Sequence, residues 1–179
     1  MNDMWGGGGV GVGQQRPFTI DFDTLDYEVN NKIVKNLDFK LIPYKNHQAI
    51  NGTMLFRTDV NGIRILNWNW KIYNVTVNGC DILINKYNKL NVITEAVIQR
   101  IKQSMPGLPS KCPLNKGVEY PLLNLYLDEE RFPVYMSNIK FETSFIMLNY
   151  RELVFDLKLS AHVESKIGKR MGNQTSKKP

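Results

Sequence analysis

The stretch from residue 153 to residue 163 constrains this chain more than any other. Leu153, Phe155, Leu157, Leu159, Ala161 and Val163 fall on one side of an extended backbone, and Val154, Asp156, Lys158, Ser160 and His162 on the other. A period of two is what a β-strand with one buried face requires, whereas a helix would spread the same apolar residues around its circumference. A strand of that length must hydrogen-bond to neighbours and lay its apolar face on a second layer, so the rest of the chain has to supply both.

It does, because the same period recurs. Phe18, Ile20 and Phe22 alternate with Thr19 and Asp21, and Ile33, Leu37, Phe39 and Leu41 with Asn36, Asp38 and Lys40. Pro43 to Gln48 reads as a turn. Ile50 to Arg57 and Ile63 to Val77 read as two strands joined by Asp59-Val60-Asn61-Gly62, whose Asn-Gly pair is a strong hairpin signal. Trp68, Trp70 and Ile72 then share one face. Further on, Leu122, Asn124 and Tyr126 oppose Leu123, Leu125 and Leu127, and Ile139, Phe141, Thr143 and Phe145 form another strand. The period changes once. Leu90, Ile93, Val97, Ile98 and Ile101 recur at helical spacing, with Asn91 or Thr94 as cap and Pro106-Gly107 as stop. A short helical turn near Asp81 to Ile84 precedes that helix. Six or seven strands with one helical segment between Cys80 and Cys112 predict a mainly β fold, a two-sheet antiparallel sandwich or cup.

Charge argues against nucleic acid. The formal charge is +6, but Lys166, Lys169, Arg170, Lys177 and Lys178 lie in the tail that follows Glu164. Setting those five aside from the 23 basic residues leaves 18 against 17 acidic ones. The remainder is close to neutral and has no basic face for a phosphate backbone. Arg64, Trp68, Trp70, Lys71 and Tyr73 mix cations with rings, as a single-strand binder would. Yet Trp68 and Trp70 share one side of their strand, which suits a core or a lined cavity better. Residues 1–16 read as a disordered glycine-rich start, 17–164 as a single β-sandwich domain and 165–179 as a disordered basic tail. The opening glycines lack the Lys-Ser/Thr of a phosphate loop. No run of about 18 apolar residues suggests a membrane-spanning helix.

Cys80 and Cys112 are compatible with a disulfide or with two free thiols. Three glycosylation triplets tilt the balance, with Asn51, Asn74 and Asn173 as the acceptors. Such triplets matter in the secretory pathway, where disulfides also persist. An extracellular location follows as the expectation. The opening MNDMWGGGGVGVGQQR lacks the apolar core of about seven residues that a secretory signal needs, which points to a truncated or misassigned start.

The catalytic inventory is thin. His47 falls in a turn and His162 on the polar face of the last strand; no His, Cys, Asp and Glu cluster has metal-ligand spacing, and no cofactor is implied. Cys80 as a nucleophile would need a base beside it. Asp128-Glu129-Glu130 reads as an exposed turn between strands. The expectation is therefore a protein that is not an enzyme.

Two segments carry a resemblance. Cys80-Asp81-Ile82-Leu83 opens a short apolar helix, and Cys112-Pro113-Leu114-Asn115-Lys116-Gly117-Val118-Glu119-Tyr120 follows the second helix. Together they resemble the insect secreted proteins of the domain of unknown function 1091 family, which are similar to the CheB chemosensory proteins. Asn51-Gly52-Thr53, Phe132-Pro133 and the strand from Glu152 to Val163 also fit, so the resemblance runs from Phe18 to Val163. It implies that Cys80 and Cys112 are the family's cysteine pair. It also implies a fold like that of the ML lipid-recognition superfamily, which includes the ganglioside activator and in which two sheets form a cup for apolar molecules. The resemblance transfers no catalytic residue.

The expected function is a secreted binding protein for a lipid or other small hydrophobic ligand, in chemosensation or pheromone response, with a receptor protein as a further partner. Phe39, Phe56, Trp68, Phe141, Phe145 and Phe155 are the expected lining of its cavity. The alternative is an extracellular protein–protein interaction module with a filled core. Whether the interior is hollow separates the two.

Overall fold

A computed structural model of the protein describes residues 16–66, 76–86, 92–134 and 136–166. Among them, β1 (Phe18–Val29), β2 (Val34–Tyr44), β3 (His47–Phe56), β4 (Ile63–Leu66) and β5 (Thr76–Asn78) come first. Helices α1 (Gly79–Leu83) and α2 (Val92–Ser104) follow, and then β6 (Glu119–Leu125), a 3-10 turn at Glu129–Arg131, β7 (Ile139–Asn149) and β8 (Glu152–Ser165). A large sheet has the order β1-β8-β7-β4-β5 and a small one the order β2-β3-β6, all pairs antiparallel. The two-sheet β fold and the helical segment between the cysteines are as expected.

Four register shifts, one of them at Lys35 of β2, decide which residues face the interior, since one extra residue moves every later side chain to the other face. In β1 the register against β8 shifts between Phe22 and Thr24. Phe18, Ile20 and Phe22 face inward before the shift, and Leu25, Tyr27 and Val29 pack on the core after it. In β6 the shift lies between Leu122 and Leu125, with Asn124 at φ +50° and its N–H donated to Asn51 Oδ1. The expected opposition of Leu122 and Leu125 is therefore corrected: both are buried, as are Tyr120 and Leu127, while Leu123 is exposed. In β8 the shift falls at its start, where Leu148 pairs with Leu153 and Met147 with Phe155. Val154 is the extra residue and is fully buried; Leu153, expected on the inner face, is 37% exposed.

Asn61-Gly62 does not make a hairpin. Strand β3 pairs with β2 and β6, and β4 with β7 and β5, so this segment crosses from the small sheet to the large one. Its amides are satisfied by the β7–β8 turn: Asn149 Oδ1 accepts from the N–H groups of Asn61 and Gly62, and Tyr150 donates its N–H to the Gly62 carbonyl. Ile63 to Val77 is also two strands, β4 and β5, paired antiparallel, which brings the total to eight among the described residues. The β2–β3 turn is tighter than the expected span of Pro43 to Gln48. Tyr44 pairs with His47, leaving Lys45 and Asn46 as a two-residue connection.

Candidate functional site

The small sheet has three strands and the large one five, so it cannot cover its partner. The two helices make up the difference. α1 packs against β4 and β5 at one edge of the large sheet, and α2 packs against β6 at an edge of the small sheet. They bridge the open side of the sandwich. Cys80 in α1 is joined to Cys112, on the segment leading from α2 to β6, with Cα atoms 5.5 Å apart. The disulfide thus closes residues 80–112, which hold both helices, into one covalent loop. Lys102 adds a second tie at the last turn of α2, where its Nζ donates to the Ile82 carbonyl at 3.1 Å and to Asn85 Oδ1.

Between the sheets and beneath these helices lies a cavity of about 180 Å³. The large sheet contributes Phe141, Phe145 and Phe155, the small sheet Phe39, Met54 and Leu122, and α2 contributes Val97, Ile98 and Ile101. Phe145 and Phe155 stack with ring centroids 5.9 Å apart. Three methionines, Met54, Met105 and Met147, also line it. Their unbranched thioethers let a wall adapt to different shapes. The lining is apolar apart from Thr94, Thr143 and Lys102, and the Lys102 ammonium is held at α1. Apolar cavities of roughly 150 Å³ stay dry and take up a benzene-sized molecule, so this one has room for a small apolar guest.

Of the expected lining residues, Phe39, Phe141, Phe145 and Phe155 meet at this cavity. Phe56 does not. It is buried in the solid part of the core against Tyr120, with ring centroids 5.9 Å apart. Inward alternation is a necessary condition for lining but does not say where along the sandwich the space lies. Trp68 lies outside the described residues, as do Trp70, Asn74 and Asn173. Missed entirely were the contributions of α1 and α2: the apolar stripe at Val97, Ile98 and Ile101 was legible as a buried face, but its partner was not. Asn51 sits mid-strand in β3, half-buried, with its side-chain oxygen accepting from Asn124.

At Glu129 a second constellation corrects the reading of residues 128–130 as an exposed turn, while Glu130 is exposed as expected and Asp128 caps the turn. Glu129 is buried, 9% exposed, and accepts from Lys166 Nζ at 2.9 Å. Its other oxygen lies 3.4 Å from His47 Nε2, and His47 Nδ1 lies 3.3 Å from Asp21 Oδ1. His47 is not in a turn but begins β3, where its ring stacks on Tyr126 at 5.1 Å. Arg100 of α2 lies over the same tyrosine ring and donates to the carbonyls of Asn124 and Tyr126. Strand β6 is an edge of the small sheet, and Arg100 donates to one carbonyl within it, that of Asn124, and to one just beyond it, that of Tyr126. Leu125 and Leu127 point to the cavity while Tyr126 between them faces this charged cluster. His162 pairs separately with Asp23 at 2.7 Å, at the β1 bulge.

The closing elements also carry the relationship to other proteins. A family model described as "Protein of unknown function (DUF1091)" matches residues 54–143, half of the chain. The chain belongs to the DUF1091 family. The matched stretch runs from the end of β3 into β7 and so contains α1, α2, β6 and both disulfide cysteines. In this DUF1091 protein the matched stretch includes the segment that covers the open side of the sandwich, together with β4, β5 and β6. No curated protein matches the sequence.

Proposed function

We propose that this DUF1091 protein is a secreted, non-enzymatic carrier that holds a lipid or other small hydrophobic molecule between its sheets. The observation that carries the reading is the apolar cavity under the disulfide-closed helices. Roughly 300 Å² of apolar ligand surface removed from water, at about 25 cal/mol per Å², supplies about 7.5 kcal/mol of gross driving force, which sets low-micromolar binding as the upper limit before the cost of immobilising the ligand is subtracted. The disulfide fits an oxidising compartment. No helix among the described residues is long and apolar enough to cross a membrane. The resemblance to CheB proteins and to the lipid-recognition cup supports the same reading and supplies its chemosensory setting. An interaction module with a filled core accounts less well for the void.

The test is binding of the fluorescent dye N-phenyl-1-naphthylamine to the wild type and to Val97→Phe, whose larger ring would occupy the cavity from α2. The carrier reading expects saturable, micromolar enhancement in the wild type and its loss in a variant with unchanged circular dichroism. Dye binding that V97F leaves intact would place the apolar surface elsewhere and favour the interaction module.

A further inference from the structure

Thr143 is the polar anomaly of the cavity. It sits on the inner face of β7, two residues from Phe141 and from Phe145, opposite Leu159 of β8. The residue is 5% exposed and lines the cavity, yet its Oγ1 has no hydrogen-bond partner. The other polar lining groups are committed: Lys102 holds α1, and Thr94 is engaged. A buried hydroxyl without a partner disfavours the empty state, and valine would fill the same space without that cost. A step of about 120° in χ1 carries the hydroxyl into the position the methyl holds while the methyl moves to the third position, a route by which the hydroxyl can turn toward the space the residue lines.

From this we infer that the cavity selects a neutral apolar molecule bearing one hydrogen-bonding oxygen, an alcohol or a carbonyl compound, and that Thr143 Oγ1 bonds to that oxygen. The inference rests on the carrier reading and names its ligand class. A hydrocarbon would leave the hydroxyl orphaned. An anion would meet no uncommitted charge among the described lining residues, because the Lys102 ammonium is already shared between Ile82 and Asn85.

Displacement of N-phenyl-1-naphthylamine by 1-octanol, 2-octanone, n-octane and octanoate, for the wild type, Thr143→Val and Thr143→Ser, tests this. The expected result is a five- to tenfold fall in the octanol-to-octane affinity ratio in T143V, the size of one net hydrogen bond. T143S, which keeps the hydroxyl, should retain most of the wild-type ratio. A ratio that T143V leaves unchanged overturns the role of Thr143 while leaving the carrier intact. Octanoate binding more tightly than octanol in both the wild type and T143V overturns the ligand class and points to Lys102. Failure of the dye and of every octyl compound to bind the wild type overturns the carrier reading itself.

Discussion

The guanidinium carbon of Arg100 lies 3.9 Å from the centroid of the Tyr126 ring, and the same side chain donates to the carbonyls of Tyr126 and Asn124. One residue of α2 thereby fastens the helix to the edge of the small sheet by two charge-assisted hydrogen bonds and a cation–π contact. Both hydrogen bonds are half-buried, so their loss is felt.

Arg100→Ala should lower unfolding stability by about 2–3 kcal/mol, from unmade charged hydrogen bonds and the lost ring contact. Arg100→Lys should recover less than half of that, since a point charge lacks the planar fork that reaches both carbonyls. Urea titration gives the magnitudes, and amide hydrogen exchange should show the extra opening concentrated in α2. A change under about 0.5 kcal/mol in R100A would mean that α2 is held by its apolar face alone.

The disulfide makes a larger contribution. Cys80 and Cys112 are separated by 32 residues, a loop worth roughly 3–4 kcal/mol on the chain-entropy estimate. The double variant Cys80→Ser/Cys112→Ser should lose about that much in denaturant titration. It should also release bound dye faster, since both helices above the cavity lie inside the closed loop. Dye release at the wild-type rate would show that the helices do not govern access.

Gly52 combines close approach with φ +159°, whereas Gly117 carries a conformational demand alone. A Cβ on Gly52 would overlap the Asp38 carbonyl oxygen of the neighbouring strand and meet the Phe39 ring at 2.6 Å. Gly52→Ala should therefore push β2 away from β3 and cost about 3 kcal/mol or more, through overpacking of a paired strand. Gly117 has φ +73° and open space where a Cβ would go, so Gly117→Ala should cost only about 1–2 kcal/mol, the conformational penalty alone. Thermal denaturation of the two variants compares them directly. Equal losses would contradict the assignment of close approach at Gly52.

Much of the fold was legible because alternation is a local signal. Phe18 to Phe22 and Phe155 to Val163 face inward as their period dictates. What escaped was non-local. Asn61-Gly62 carries hairpin chemistry, but its flanking strands find better partners in different sheets, and only Asn149 and Tyr150, far along the chain, complete the turn. The bulges at Asp23, Asn124 and Val154 reverse the facing without a clear mark in hydropathy. Glu129 looked like one of three exposed acids because its partners, His47 and Lys166, come from distant strands or lie just beyond one. At the cavity, four of the expected aromatic residues meet. Phe56 does not, because alternation fixes a side and not a depth. The part played by α2 was invisible until the unequal width of the two sheets left an edge for it to cover.

The central claim is that the space between the sheets is a ligand site. Native mass spectrometry tests it most directly, on protein secreted from insect cells behind a supplied signal peptide, before and after organic extraction. The account predicts an adduct of small apolar mass that extraction removes and that V97F fails to retain, on a protein whose cysteines are oxidised. A disulfide-bonded wild type that carries no adduct, and acquires none from a panel of lipids and volatile alcohols, would contradict it.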